Sequence, residues 1–153
     1  SRHLRHADRC VLLAATLGLA LDQKIAAYAR LDLTRAVVMD ACATAAIEAV
    51  CDQAQAQLEA QVAPEGYRLT RRFSPGYGDL SIVHQKAILE TLQAYTRIGL
   101  TVNADHILLP RKSVTAFIGL QKGEQAVDRD RCRHCPDQTC QYRRGGDGDE
   151  SQT

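Results

Sequence analysis

The chain has no Trp and only two Phe among its 153 residues, and aromatic residues make up 5% of it. A core built from it must therefore rest on Ala, Leu, Val and Ile. Charge of one sign is also missing: the formal net charge is +1. That leaves no basic excess for binding nucleic acid or an anionic membrane. No apolar run reaches the roughly 18–20 residues of a membrane span. The stretch Cys10–Leu21, preceded by Arg2, Arg5 and Arg9, imitates a signal peptide. Asp8 interrupts its basic part and no small-x-small cleavage site follows, so a cytoplasmic protein is expected. The chain begins at Ser1 rather than Met, as a fragment or a processed product would.

What is present suits an ordinary globular domain, with 45% hydrophobic and 24% charged residues. Cys10–Thr16 is an apolar run compatible with a buried strand or with the start of a helix. Leu21–Leu31 has helical spacing, with Ile25, Tyr28 and Ala29 on one side. Thr34 is placed to cap a second helix. From Arg35 to Val62 there is neither Gly nor Pro and Ala dominates, so one long helix is predicted. Val37, Val38, Ala41, Ala45, Ile47, Ala49, Val50 and Leu58 are its expected packing surface, and Pro64 and Gly66 end it.

Further on, Tyr67–Arg72 alternates like a strand and Phe73–Leu80, with Pro75, Gly76 and Gly78, reads as a turn-rich loop. Ser81 is expected to cap a helix running to Tyr95. Ile98–Leu109 and Val114–Leu120 read as two β segments joined by a hairpin-sized Pro110-Arg-Lys. Helices first and strands later, with one helix between them, predict an α+β domain. Its antiparallel twisted sheet would pack against a long helix and shorter ones.

Two constellations carry chemistry. In Arg72–Asp79 (RFSPGYGD) an Arg at a strand end offers a fork of donors suited to a carboxylate. Gly76 and Gly78 let backbone approach a ligand, and Tyr77 between them can stack or hydrogen-bond. The same residues also suit a plain surface turn with the Arg in a salt bridge. Near the C-terminus, Cys132-x2-Cys135-x4-Cys140 supplies three of the four ligands of a tetrahedral zinc, with His134 available as a fourth. An iron–sulfur cluster, a redox dithiol and a plain reduced tail are the alternatives. Cys10, Cys42 and Cys51 stand singly in apolar surroundings and read as buried, inert thiols. His84 and His106 have no motif around them, and no nucleophilic triad is legible.

Arg72-x-x-Pro75-Gly76-Tyr77 resembles the RxxPGY signature of the activation domain of cobalamin (vitamin B12)-dependent methionine synthase. Leu108-Leu-Pro-Arg-Lys-Ser-Val-Thr-Ala116 is similar to that family's later segment. Asp40–Ala49, with Glu48, is similar to its long helix. The similarity covers roughly Cys10–Leu120. It implies a domain that binds S-adenosyl-L-methionine (AdoMet) over residues 1–121, with an incomplete N-terminus. The polar tail over 122–144 is Cys-rich, and the Gly/Asp-rich composition of 145–153 predicts a disordered terminus.

The resemblance also implies roles for residues. Arg72 would bind the AdoMet carboxylate, Pro75, Gly76 and Tyr77 would shape the loop around it, and Glu48 would face the sulfonium. Ser113, on the strand running to Ala116, would line the site. Taken alone, Glu48 is equally a solvated helix residue and Ser113 a structural one.

The family's activity is the reductive remethylation of cobalamin in methionine biosynthesis. The implied partners are a cobalamin-binding methionine synthase module, on which this chain would act in trans, and a flavodoxin-type electron donor. This sequence departs from the pattern in two places. An acidic AdoMet contact near the domain's start and a Tyr-containing stretch after the last strand have no counterpart, as in short stand-alone members with Cys-rich tails. Rival readings are a reactivator of another corrinoid methyltransferase and a non-catalytic metal-binding adaptor with a degenerate pocket.

Overall fold

The computed structural model describes residues 4–122, and the cysteine cluster and the 145–153 terminus lie outside them. The first element is a strand, β1 (Arg9–Thr16), so the expected order of helices before strands is corrected. Residues 11–16 are all half-buried. A strand covered on both faces loses its apolar/polar alternation, which is why this run could be mistaken for a helix start. Then come α1 (Leu19–Leu31), α2 (Leu33–Val62), β2 (Tyr67–Leu69), α3 (His84–Leu92) and α4 (Ala94–Ile98). A short pair, β3 (Thr101–Val102) and β4 (Leu108–Leu109), precedes β5 (Ser113–Lys122).

The main sheet is antiparallel, in the order β1-β5-β2, so the chain is α+β with a small antiparallel sheet and one long helix. β5 pairs with β1 along its length, from Arg9 opposite Leu120 to Thr16 opposite Ser113. Side chains alternate across a strand, and the two faces of this sheet are covered differently. Val11, Leu13, Ile118 and Leu120 pack with Tyr67, Leu69, Leu58 and Val62 beneath α2. On the other face Ala14 meets Leu89, Ala94, Leu100 and Leu108 from α3, α4 and the β3–β4 pair. Gly119 also points to this second face, where a Cβ would come within 2.8 Å of the Ala7 Cβ.

The long helix forms as its Gly- and Pro-free sequence predicts, over 30 residues, about 45 Å. Its N-cap is Asp32 rather than Thr34: the Asp32 Oδ1 accepts from the Arg35 N–H at 3.0 Å. The buried stripe is Ala36, Ala43, Ile47 and Cys51. Val37 and Val38, expected inside, are 61% and 58% exposed, and Val50 is exposed too. At 100° per residue they stand one or two steps around the helix from that stripe. A stripe of mostly small side chains lets α2 approach its packing partners closely. A 3-10 turn (Ala63–Glu65) and Gly66 at φ 77° end the helix.

The second half departs more from expectation. The helix expected from Ser81 to Tyr95 is broken at Gln93, which is left-handed at φ 52°; this sends Ala94 into the core. Ile98 closes α4 instead of opening a strand. Of the expected Ile98–Leu109 segment only β3 and β4 are extended, and they pair with each other. The turn between them is built on Asn103, whose Oδ1 accepts from the N–H groups of Asp105 (3.0 Å) and Ile107 (2.8 Å). Pro110-Arg-Lys therefore does not join a hairpin; its Leu109–Pro110 peptide is cis, and β5 pairs with β1 and β2 instead. β2 ends at Leu69, after which Phe73 makes one isolated bridge to Phe117.

Candidate functional site

Arg72 leaves the sheet between β2 and the Phe73 bridge and reaches α2. Its Nη2 lies 2.7 Å from Asp52 Oδ1 and 3.1 Å from Glu48 Oε2, and its Nη1 donates to Gln55 Oε1 at 3.2 Å. Glu48, Asp52 and Gln55 follow one another at four and three residues, so they share one face of the helix. Gln55 also donates to the Thr70 carbonyl at 3.4 Å, which ties the helix to the same stretch of chain. The Arg72 side chain is only 18% exposed, whereas Glu48 and Asp52 are 56% and 72% exposed.

The electrostatics follow from that geometry. Burial works against the guanidinium's charge, but the hydrogen bond and attraction to Asp52, with Glu48 adding to them, outweigh it. The Arg72 pKa is pushed above the ordinary arginine value. Cys51, buried on the same helix, has its thiol pushed up. Burial is the main cause; nearby Arg72 opposes it, and Glu48 and Asp52 reinforce it. Cys10 and Cys42, expected to be buried, are exposed.

The loop after Arg72 closes on itself. The Gly76 N–H donates to the Leu80 carbonyl (2.8 Å), and the Leu80 N–H donates back to Tyr77 (3.0 Å). Gly76 has φ 94°, a conformation that favours glycine, while Pro75 is buried and Tyr77 is exposed. A Cβ on Gly78 would come within 3.1 Å of the Phe73 ring.

Ser113 does not join this group. Its hydroxyl donates to the Pro110 carbonyl at 2.6 Å and lies 2.8 Å from Thr16 Oγ1. By register Ser113 and Thr16 point to the face away from α2, ~13 Å along β5 from Phe117. Its neighbour Lys112 does reach α2, at 2.8 Å from Asp40 Oδ1 and 2.9 Å from Thr44 Oγ1.

Of the residues named from the sequence, Glu48 and Arg72 come into contact, and Pro75, Gly76 and Tyr77 form the loop that follows. Sequence reasoning missed Asp52 and Gln55. The signal was there: both lie at helical spacing from Glu48. It also missed an open cleft of about 840 Å³ in the layer on the other face of the sheet. Leu89, Leu100, Val102, Gln93, Tyr95 and His106 are among its walls. Among the described residues, the two non-glycine residues with positive φ, Gln93 and His106, both belong to it. His106 Nδ1 is buried without a hydrogen-bond partner among the described residues.

Cys132, Cys135 and Cys140 fall outside the described residues. Among the described residues no group of three His, Cys, Asp or Glu side chains could hold a metal, and no helix is long and apolar enough to cross a membrane. No protein-family model matches the chain, and comparison with curated proteins finds no match.

Proposed function

We propose that this chain is an AdoMet-binding domain of the methionine synthase activation type, a methyltransferase component that supports the reductive remethylation of cobalamin. It would work in the cytoplasm and in trans on a cobalamin-binding module, with a flavodoxin-type electron donor. The observation that carries the reading is the Arg72–Glu48–Asp52 cluster beside the Pro75–Gly78 loop, within the segments whose sequence resembles that family.

The donor set fits the methionyl end of AdoMet. That ligand carries a carboxylate, an α-ammonium and a sulfonium, with net charge +1. The cluster carries one guanidinium and two carboxylates, with net charge −1. Arg72 offers the planar fork that a carboxylate takes. Glu48 and Asp52 supply negative potential for the two cationic centres. Backbone at Gly76 leaves room for close approach. The bound AdoMet supplies the methyl group; the chain's residues bind and orient it.

A second reading draws on the three bonds Arg72 already makes: the cluster is an internal clasp that holds α2 to the chain after β2. Calorimetry with AdoMet separates the two. The activation reading expects binding by the intact protein, weakened at least about tenfold in Arg72→Ala, because a charged hydrogen-bonding partner of the carboxylate is lost. An intact protein that binds no AdoMet leaves only the clasp.

A further inference from the structure

Both two-pronged grips of a guanidinium use Nη2, end-on with Nη1 or side-on with Nε. In this protein Nη2 is held by Glu48 and Asp52 together. An incoming carboxylate therefore cannot take either fork of Arg72 until one of these acids leaves. Asp52 is the nearer, at 2.7 Å, and the more exposed of the two, so water can receive it. Once displaced it stays on α2, within a turn of the ligand it has admitted.

We infer that Asp52, backed by Glu48, is a specificity residue that admits to Arg72 only those carboxylate ligands that bring their own positive charge. A plain carboxylate would leave the displaced Asp52 uncompensated, with Glu48 close by, at the mouth of the site. A ligand with an ammonium and a sulfonium gives the displaced Asp52 a partner and places positive charge beside Glu48. The inference rests on the AdoMet reading and adds a consequence for turnover. When the methyl carbon bonds to the electron pair of an acceptor on the partner, its C–S bond breaks and the electron pair of that bond stays on sulfur. The sulfonium becomes a neutral thioether, and the ligand's net charge falls from +1 to 0. The acids then lose one partner and compete again for Arg72, so the spent ligand is expelled in preference to the charged one.

The test is calorimetric, on the full chain, with AdoMet and with S-adenosylhomocysteine, its thioether product. The wild type binds AdoMet more tightly, and raising the salt concentration narrows the gap. Asp52→Asn keeps the shape and removes the charge. It lowers affinity for AdoMet but not for the thioether, shrinking their ratio by about threefold or more, the range of a partly exposed ion pair. Glu48→Gln shrinks it in the same sense. A purely structural Asp52 would weaken both ligands alike, and an unchanged ratio in Asp52→Asn overturns the inference while leaving AdoMet binding standing. No AdoMet binding by the wild type overturns both.

Discussion

The two faces of the central sheet handle polar groups in opposite ways. Beneath α2 the polar cluster sits at the rim, where Arg72 is mostly covered but its acidic partners are open to water. Beneath α3 the polar contact is internal: the Thr115 hydroxyl donates to the Gln85 carboxamide oxygen, and both residues are buried. Water can replace a partner on the first face and not on the second. The rim bonds are therefore exchangeable and suited to admitting a ligand, while the inner bond specifies how α3 seats on the sheet.

The largest effect that would test this contrast is expected at Leu100, fully buried between α4 and the β3–β4 pair. Leu100→Ala should cost about 2–5 kcal/mol in denaturant unfolding, yet leave the AdoMet affinity expected under the proposed function intact well below the melting temperature. A parallel loss of affinity would show that the two faces are not separable.

Next comes the inner polar pair. Gln85→Ala strands the Thr115 hydroxyl and should cost about 1–3 kcal/mol, while Gln85→Leu with Thr115→Val together should recover most of that loss. Arg72→Ala, whose stranded acids are solvated, should cost about 1 kcal/mol or less in the same measurement. Equal losses from Gln85→Ala and Arg72→Ala would erase the distinction between rim and interior.

The smallest effect is a slope with pH. Burial first, with Glu48 and Asp52 adding to it against the pull of Arg72, raises the Cys51 thiol in the folded chain. A thiol raised on folding favours the folded state below its unfolded pKa, about 8.5. That stability is lost as pH climbs from there through the raised folded value. Melting temperature should thus fall more steeply above that pH in the wild type than in Cys51→Ala, in which the other alkaline groups are unchanged. Parallel slopes would mean that the thiol ionises equally in both states.

Much of the α2 side was legible in the sequence, because its signals are local. A stretch without Gly or Pro, a stop at Pro64 and Gly66, and a Pro-Gly turn after Arg72 each depend on residues a few positions apart. Glu48 is marked only by the resemblance of its segment to the activation-domain family, and in the fold it contacts Arg72. The register of the stripe is less clear: Val37 and Val38 are more hydrophobic than Ala36 and Ala43, yet the alanines are buried and the valines exposed. The α3 side is less legible. Gln93 carries no glycine-like signal for a left-handed break, and the Asn103 turn divides what looked like one strand.

Sequence alone determined the long helix, the loop and the residue types able to grip a charged ligand, since each follows from short-range periodicity and backbone preference. Only the tertiary structure decided that β1 is the partner of β5, that Ser113 turns away from α2, and that Asp52 and Gln55 stand on Arg72. Those outcomes depend on which faces pack together, and packing is set by contacts between residues far apart in the chain.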